Sequence, residues 1–218
     1  MKKPSYILGV DPGQSADPTA LALLEHDAAV DPTYRLRGLY RFPLGTPYTE
    51  LVRRIEDGLK RRSLSLCRVA IDATGVGAPV VDLLKAAIGQ SRLYAITITG
   101  GSSVGGTTHD PHVPKRDLIA NTSLILEQRR LRISTALDET EALVEELHGY
   151  RRIVADSGQE RYDAAGGLHD DLILALSLAL WIGDRTRAHG RSRMYVAAGP
   201  VPSTDDWLRN KLGQLYNF

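Results

Sequence analysis

The order of apolar and polar positions predicts strands at the start of the chain, followed by alternating helices and strands. Three apolar runs come first, at Tyr6–Val10, Thr19–Glu25 and Tyr34–Phe42, and the first two are joined by a turn rich in Asp, Gly and Pro. Short apolar runs bounded by such turns are typical of strands. We therefore predict an antiparallel meander at the beginning of the domain.

From residue 48 onwards, helical and strand patterns alternate. The segment Tyr48–Lys60 carries apolar residues at the spacing of one helix face. We predict further helices at Pro79–Ile88, Lys115–Arg129 and Asp138–His148, and strands at Cys67–Ile71, Leu93–Ile98 and Leu131–Ile133. This order predicts a single α/β domain with a mixed sheet and helices on both faces.

Three segments lack a clear helical pattern. Gly100–Pro114 is rich in Gly, Ser, Thr and His, so we expect a mobile loop there. Arg151–Asp156 and Glu160–Ala164, joined by Ser-Gly-Gln, resemble a hairpin. From Asp184 the composition is basic and then Gly/Pro-containing, which predicts a domain at 1–183 and a flexible C-terminal tail at 184–218.

The stretch from His169 to Trp181 combines two adjacent carboxylates with a long apolar run. Leu and Ala dominate the run, so it predicts a buried helix that is too short to span a bilayer. Aspartates at a helix start can cap free N–H groups and meet the positive end of the helix dipole. Taken alone, Asp170 and Asp171 are therefore explained as an N-cap and a first-turn acid.

Composition excludes few functional classes. The chain has 218 residues, 43% hydrophobic and 24% charged, with a net charge of +1, so a nucleic-acid surface requires local concentration of basic residues. The single Cys67 excludes an internal disulfide and fits a reducing compartment; its apolar setting indicates a core thiol. The first apolar stretch meets Asp11 too soon for a signal peptide, so we expect a cytoplasmic protein without a membrane segment.

Two further aspartates change the interpretation of the adjacent pair Asp170 and Asp171, which we call the doublet. Asp11 and Asp72 each follow the last apolar residue of a predicted strand. Ligands of open α/β sheets collect at the carboxyl ends of strands, and carboxylates gathered there repel one another unless a cation neutralises them. Oxygen donors favour Mg²⁺ or Mn²⁺ over zinc. Such a site suits phosphodiester hydrolysis with two ions about 3.5–4 Å apart.

Neighbouring residues at a helix start point about 100° apart, so Asp170 and Asp171 cannot present equally to one ion. We expect Asp171 to be the direct metal ligand and Asp170 to be the N-cap. We assign no positively charged residue to the centre of the site. His169 either orients a carboxylate or a water, or is structural.

The chain resembles the nuclease domain of phage large terminase subunits over roughly residues 5 to 183. The resemblance is carried by Gly-Val-Asp-Pro-Gly at 9–13, Ile-Asp-Ala-Thr-Gly-Val-Gly at 71–77 and His-Asp-Asp at 169–171. Val-Pro-Lys at 113–115, Glu-Glu-Leu at 145–147 and Tyr-Asp-Ala at 162–164 also resemble that family.

That resemblance implies an RNase H-like fold and Mg²⁺- or Mn²⁺-dependent cleavage of double-stranded DNA during genome packaging. It implies that Asp11, Asp72 and Asp171 (or Asp170) are the metal ligands, and that partners include a terminase ATPase motor and a portal protein. The sequence lacks the Gly-x-x-x-x-Gly-Lys-Ser/Thr motif of such a motor. Both an excised domain and a protein that carries only the nuclease half are compatible with this.

Basic residues supply candidate DNA contacts. Lys115 follows the predicted loop at a helix start, and Arg151 and Arg152 open the hairpin that leads back to the carboxylates. Arg116 and the other basic pairs are better explained as solvated surface. Other functions remain open: a Holliday-junction resolvase or an RNase H, an ATP-binding protein of the actin and sugar-kinase type, and a non-catalytic DNA- or portal-binding module.

Overall fold

The computed structural model describes residues 5–13, 17–27, 33–154, 160–164 and 169–185, and of residues 150–154 and 160–164 it describes the backbone. The strands are β1 (Ser5–Asp11), β2 (Ala20–His26), β3 (Tyr34–Arg41), β4 (Arg68–Asp72), β5 (Leu93–Thr99), β6 (Gly105–Gly106), β7 (Pro111–Pro114), β8 (Leu131–Ile133), β9 (Tyr150–Val154) and β10 (Glu160–Ala164). The helices are α1 (Tyr48–Leu59), α2 (Gly77–Ile88), α3 (Lys115–Glu127), α4 (Thr140–Gly149) and α5 (Asp171–Arg185).

Eight strands form one mixed sheet in the order β6-β7-β5-β4-β1-β2-β3-β8. Strands β1, β2 and β3 pair antiparallel, which confirms the predicted meander. Strands β4, β5 and β7 extend the sheet from β1 in parallel, and β8 pairs in parallel with β3 at the opposite edge. The carboxyl ends of β1, β4 and β5 therefore lie at one end of the sheet.

Helices cover both faces of the sheet, as predicted. On one face α5 packs with α3 and α4 in an apolar cluster that includes Leu118, Leu143 and Leu176. On the other face α1 and α2 pack around Ile55 and Leu84. Strand β1 contributes to both clusters because alternate side chains of a strand point to opposite faces.

The segment 100–114 contains two short strands, so the expectation that all of it is a mobile loop is wrong. Strand β7 pairs in parallel with β5, and Val113 is fully buried. Strand β6 then pairs antiparallel with β7. Three of the four residues of β7 are buried, but so short a pattern is difficult to recognise among the surrounding Gly and Ser residues.

The hairpin predicted at 151–164 is present as a separate two-stranded sheet of β9 and β10. Helix α5 runs two residues beyond the predicted domain limit of 183, and the carboxylate of Asp184 accepts a hydrogen bond from Arg130 at 2.6 Å. The rest of the predicted tail, residues 186–218, lies outside the described residues.

Cys67 is buried, and burial raises the pKa of its thiol to about 12, as expected for a core thiol. In the described part of the chain, no helix has the length and apolar composition needed to cross a membrane.

Candidate active site

Asp11 and Asp72 are the last residues of two neighbouring parallel strands. Val10 of β1 is in register with Ile71 of β4, and the two aspartates are the next residues of those strands. Both carboxylates are partly buried. Oδ1 of Asp72 accepts a hydrogen bond of 2.8 Å from the N–H of Thr74, which fixes its direction in the turn that follows β4.

Helix α5 brings the third and fourth carboxylates to the same end of the sheet. It crosses β1 closely, because Gly9 leaves room for the backbone of Ala175: a Cβ atom on Gly9 would overlap the carbonyl oxygen of Ala175. The carbonyl of Asp170 accepts a hydrogen bond of 3.0 Å from the N–H of Leu174, so Asp170 occupies the N-cap position predicted from the sequence. Asp171 is the first residue of the helix.

Electrostatics show that the four carboxylates share one neighbourhood. The pKa of Asp11 is raised well above its ordinary value, first by burial and then by Asp72, Asp170 and Asp171, while Lys115 lowers it. Burial also raises the pKa of Asp72, against hydrogen bonds from Thr74 and the charge of Lys115. We call Asp11, Asp72, Asp170 and Asp171 the carboxylate cluster.

A lysine lies within the carboxylate cluster, so the expectation that no positive charge occupies its centre is wrong. Nζ of Lys115 lies 2.7 Å from Oδ2 of Asp170, and both side chains are about one-quarter exposed, at 28% and 24%. Lys115 is the first residue of α3, directly after β7. The packing of β7 against β5, which the polar composition of the segment concealed, brings its ammonium group to this position.

Asp171, which was expected to face the metal, is engaged by an arginine. Nε of Arg41 donates to Oδ2 of Asp171 at 2.7 Å, and Nη2 of Arg41 donates to Oδ1 at 2.9 Å. The Asp171 side chain is only 5% exposed. Arg41 is the last residue of β3, and no feature of the sequence marked it as part of the site.

Glu146 of α4 completes this arrangement. Nη2 of Arg41 donates to Oε1 of Glu146, and Oε2 of Glu146 accepts a hydrogen bond of 2.9 Å from the N–H of Ile173. Burial raises the pKa of Glu146 to about 8; the Ile173 N–H and Arg41 lower this pKa, while Asp171 and Asp170 raise it. The Glu-Glu-Leu motif was noted only as a resemblance, and its chemistry was missed. We call Arg41, Glu146 and Asp171 the Arg41 cluster.

His169 directly precedes Asp170 in the chain, and its side chain contacts a loop residue. Its side chain is 49% exposed, and Nδ1 lies 3.7 Å from Oδ1 of Asp17. Arg151 and Arg152 are placed in β9, in register with Asp163 and Tyr162 of β10. Their side chains lie outside the described residues.

Several other basic residues form ion pairs or hydrogen bonds away from the carboxylate cluster. Arg53 and Arg54 both bind Glu50 on α1, at 2.8 and 2.7 Å. Arg130 binds Asp184, and Nη2 of Arg116 donates to the carbonyl of Ser102 at 2.9 Å. The side chains of Arg53, Arg54 and Arg116 are more than one-third exposed, which agrees with their interpretation as surface residues. The surface interpretation is wrong for Arg130, whose side chain is mostly buried in its ion pair with Asp184.

Within the described ranges, no three His, Cys, Asp or Glu side chains converge closely enough to form a ready metal-binding group. Two members of the carboxylate cluster are turned towards cationic side chains, Asp170 towards Lys115 and Asp171 towards Arg41. The donor set nevertheless fits a hard cation, because it consists of carboxylate oxygens. Burial and then repulsion by the neighbouring carboxylates raise the pKa of Asp11. Lys115 supplies one positive charge where a cation would relieve that repulsion.

No family model matches the sequence, and no curated protein matches it. Similar solved structures include the large terminase nuclease from thermophilic phage G20c with bound magnesium, at 23% identity and a TM-score of 0.60 over 83% of this chain and 82% of that one. The large terminase nuclease domain from bacteriophage SPP1 with bound Mn is 14% identical, with a TM-score of 0.51 over 83% and 87% of the two chains. The human cytomegalovirus terminase nuclease domain, Mn soaked, is 17% identical, with a TM-score of 0.50 over 88% and 90%. The chain thus has the RNase H-like fold of large terminase nuclease domains, which confirms the fold implied by the resemblance.

Proposed function

We propose that this protein is an Mg²⁺- or Mn²⁺-dependent endonuclease of the terminase type, which hydrolyses phosphodiester bonds of double-stranded DNA during genome packaging. The observation that carries the proposal is the carboxylate cluster at the carboxyl ends of β1 and β4. The similar solved structures with bound magnesium or Mn are terminase nucleases, which supports both the reaction class and the type of cation.

Two divalent ions, when bound, activate a water molecule and stabilise the leaving oxygen of a phosphodiester. We assign their binding to Asp11, Asp72 and Asp170. Asp11 and Asp72 come from adjacent strands, and Asp170 acts more strongly than Asp171 on the pKa of Asp11. Asp170 is also the more exposed member of the doublet, with a side chain 24% exposed against 5% for Asp171.

This assignment reverses the roles expected for the doublet from the sequence. Asp171 has both carboxylate oxygens hydrogen-bonded to one guanidinium group, and such a bidentate pair fixes the plane of the carboxylate and engages both oxygens. Asp170 keeps the N-cap position through its backbone, while its side chain extends to Lys115. Asp171 therefore anchors the helix, and Asp170 presents its carboxylate to the reaction.

Lys115 has a role in substrate binding. Its ammonium group neutralises part of the carboxylate cluster before a cation arrives, at 2.7 Å from Asp170. With a divalent ion held by the carboxylates, the ammonium group of Lys115 would contact a phosphate oxygen of the DNA, which Lys binds as a point charge. Arg151 and Arg152, on the hairpin after α4, provide further contacts with the sugar-phosphate backbone of the DNA duplex.

The partners and the compartment of this reaction follow from the same proposal. Double-stranded DNA is the substrate, and a terminase ATPase motor and a portal protein deliver and receive it. The cleavage takes place in the cytoplasm of a bacterial host that carries the phage or prophage.

A plasmid assay tests the proposal. Supercoiled plasmid is incubated with the protein in Mg²⁺, in Mn²⁺ and in excess EDTA, with Asp11→Asn as the inactive variant and the exposed Asp82→Asn on α2 as the matched control. We expect the wild type and Asp82→Asn to nick and linearise the plasmid only with metal, and Asp11→Asn to leave it intact. Undiminished cleavage in EDTA, or equal cleavage by Asp11→Asn, contradicts the proposal.

The same assay separates the proposed substrate from other substrates of this fold. Linear duplex, four-way junction and RNA–DNA hybrid are compared at equal concentrations. Preference for the duplex supports a terminase-type nuclease. Preference for the junction or the hybrid assigns the protein to a resolvase or an RNase H, and binding of duplex without cleavage assigns it to the non-catalytic modules.

A further inference from the structure

The Arg41 cluster joins three elements at the start of α5. Arg41 ends β3, Glu146 lies in the second turn of α4, and Asp171 begins α5. Glu146 and Asp171 are buried, and Arg41 is mostly buried with a side chain 22% exposed. A third carboxylate lies near Arg41: Oε2 of Glu139 is 3.8 Å from Nη1 of Arg41.

Arg41 holds the carboxylate of Asp171 in a defined plane. The Nε and Nη2 atoms of one guanidinium group donate to the two oxygens of one carboxylate, at 2.7 and 2.9 Å. A paired contact of this kind restricts orientation as well as distance, which a single ammonium group cannot do. The first side chain of α5 is thereby tied to the end of β3.

Glu146 holds the backbone of the same helix turn. Its Oε2 accepts the N–H of Ile173 at 2.9 Å, and its Oε1 accepts from Arg41. The first N–H groups of a helix have no partner within the helix, so this contact supplies a cap from another element. Asp170, which holds the N-cap position, directs its carboxylate to Lys115 instead.

These contacts lie one peptide bond from a proposed metal ligand. The Cα atoms of Asp170 and Asp171 are about 3.8 Å apart, as in any trans peptide, so a shift or rotation at Asp171 is transmitted to Asp170. Buried ion pairs are weak sources of stability, because desolvation offsets their attraction. These hydrogen bonds instead fix the orientation of the Asp171 carboxylate and of the first turn of α5, which an apolar contact would not do.

We propose that Arg41 and Glu146 are positioning residues of the nuclease site. They fix Asp171 and the first turn of α5 so that the carboxylate of Asp170 faces Asp11 and Asp72. This inference rests on the proposed function and adds two residues that neither ligate the cation nor touch the substrate.

Two variants test the inference. Arg41→Lys keeps the positive charge but removes the paired donors. Glu146→Gln keeps one acceptor oxygen for the Ile173 N–H but replaces the oxygen that accepts from Arg41 with an NH₂ donor. The matched control is Asp184→Asn, which breaks a partly buried ion pair with Arg130 at the opposite end of the same helix. For each protein we measure the Mn²⁺ dissociation constant, the Mn²⁺ concentration for half-maximal cleavage and the thermal unfolding midpoint.

We expect Arg41→Lys and Glu146→Gln to weaken Mn²⁺ binding and to raise the half-maximal Mn²⁺ concentration by about 10- to 100-fold, the usual effect of losing a group that orients a ligand. Saturating Mn²⁺ restores part of the cleavage rate. Asp184→Asn lowers the unfolding midpoint and leaves the Mn²⁺ dependence unchanged, since its ion pair lies at the far end of α5.

Unchanged Mn²⁺ binding in both variants, with a lower unfolding midpoint like that of Asp184→Asn, overturns the inference and makes the cluster purely structural. Loss of cooperative unfolding in both variants overturns it equally. A wild-type protein that neither binds Mn²⁺ nor cuts DNA removes the proposed function, and the inference with it. A wild type that cuts normally beside variants with normal Mn²⁺ dependence removes the inference alone.

Discussion

Nζ of Lys115 lies 2.7 Å from Oδ2 of Asp170, so the start of α3 and the N-cap of α5 meet in the carboxylate cluster. A charge-assisted hydrogen bond of this length partly neutralises the acidic site in the absence of a cation. The proposed function gives the same ammonium group a contact with a DNA phosphate, and this contact leads to a first prediction.

Lys115→Gln should weaken DNA binding and reduce the salt dependence of binding. Removal of one phosphate contact lowers the slope of log K against log salt by about one unit. Binding of duplex DNA to the Asp11→Asn protein, measured by fluorescence anisotropy at several salt concentrations, checks this. Arg116→Gln is the control, because Arg116 donates to a backbone carbonyl and should leave the slope unchanged. An equal slope for Lys115→Gln and the parent would exclude the phosphate contact.

Asp11→Asn should stabilise the metal-free protein while abolishing cleavage. Burial and three neighbouring carboxylates raise the pKa of Asp11, so its ionised form costs stability in the folded state. The amide removes that charge and keeps nearly the same shape. Thermal unfolding in EDTA should give a higher midpoint for Asp11→Asn than for the wild type, and Mn²⁺ should raise the midpoint of the wild type only. A lower midpoint for the variant in EDTA would contradict this account.

The metal-free protein should lose stability as pH rises from the ordinary pKa of Glu146, 4.5, towards about 8. A carboxyl group whose pKa is raised by folding binds more protons in the folded than in the unfolded state across that window, so the free energy of unfolding falls with pH. Folding also raises the pKa values of Asp11 and Asp72, so these two groups change the free energy of unfolding with pH in the same direction.

Urea unfolding in EDTA at about pH 6 and about pH 8 measures this dependence. Glu146→Gln should show a smaller difference between the two pH values, because it removes the group that titrates near the upper limit. Equal differences for the two proteins would assign the pH dependence to other groups.

The two aspartates of the doublet should respond differently to the same substitution. Asp170→Asn removes a proposed ligand charge and weakens only a partly exposed ion pair with Lys115, so we expect lost cleavage with little change in unfolding midpoint. Asp171→Asn weakens the paired contact with Arg41, so we expect a lower midpoint and residual cleavage that improves with added Mn²⁺. Nicking rates and melting curves compare the variants, and the opposite pattern would restore Asp171 as the direct ligand.

Truncation after Arg185 should leave cooperative unfolding intact, as the composition of residues 186–218 predicts. Truncation after Gly183 should lower the unfolding midpoint instead. It removes Asp184, which accepts hydrogen bonds from Arg130 and from the hydroxyl of Tyr34, at 2.6 and 3.3 Å. It also removes Arg185, whose guanidinium group lies 4.7 Å from the centre of the Trp181 ring. Melting curves of the two truncated proteins and the full chain test both statements.

Local patterns were sufficient for most of the architecture. The apolar runs of β1 to β3 and the turns between them predicted the meander, and the spacing of Leu51, Ile55 and Leu59 predicted α1. These elements were readable because periodic burial leaves a periodic sequence. The pattern failed at β7, which has only four residues and pairs with β5.

The sequence by itself determined which carboxylates end strands or begin the long helix, and hence which residues to examine: Asp11, Asp72, Asp170 and Asp171. It did not determine the partners of each carboxylate. Arg41 and Glu146 lie 130 and 25 residues before Asp171, and Lys115 lies 55 residues before Asp170. Only the crossing of α5 over β1, and the packing of α3, α4 and β3 around its first turn, decided that Asp171 meets a guanidinium group and Asp170 an ammonium group. Side-chain partners across such distances follow from tertiary packing, which short-range periodicity does not encode.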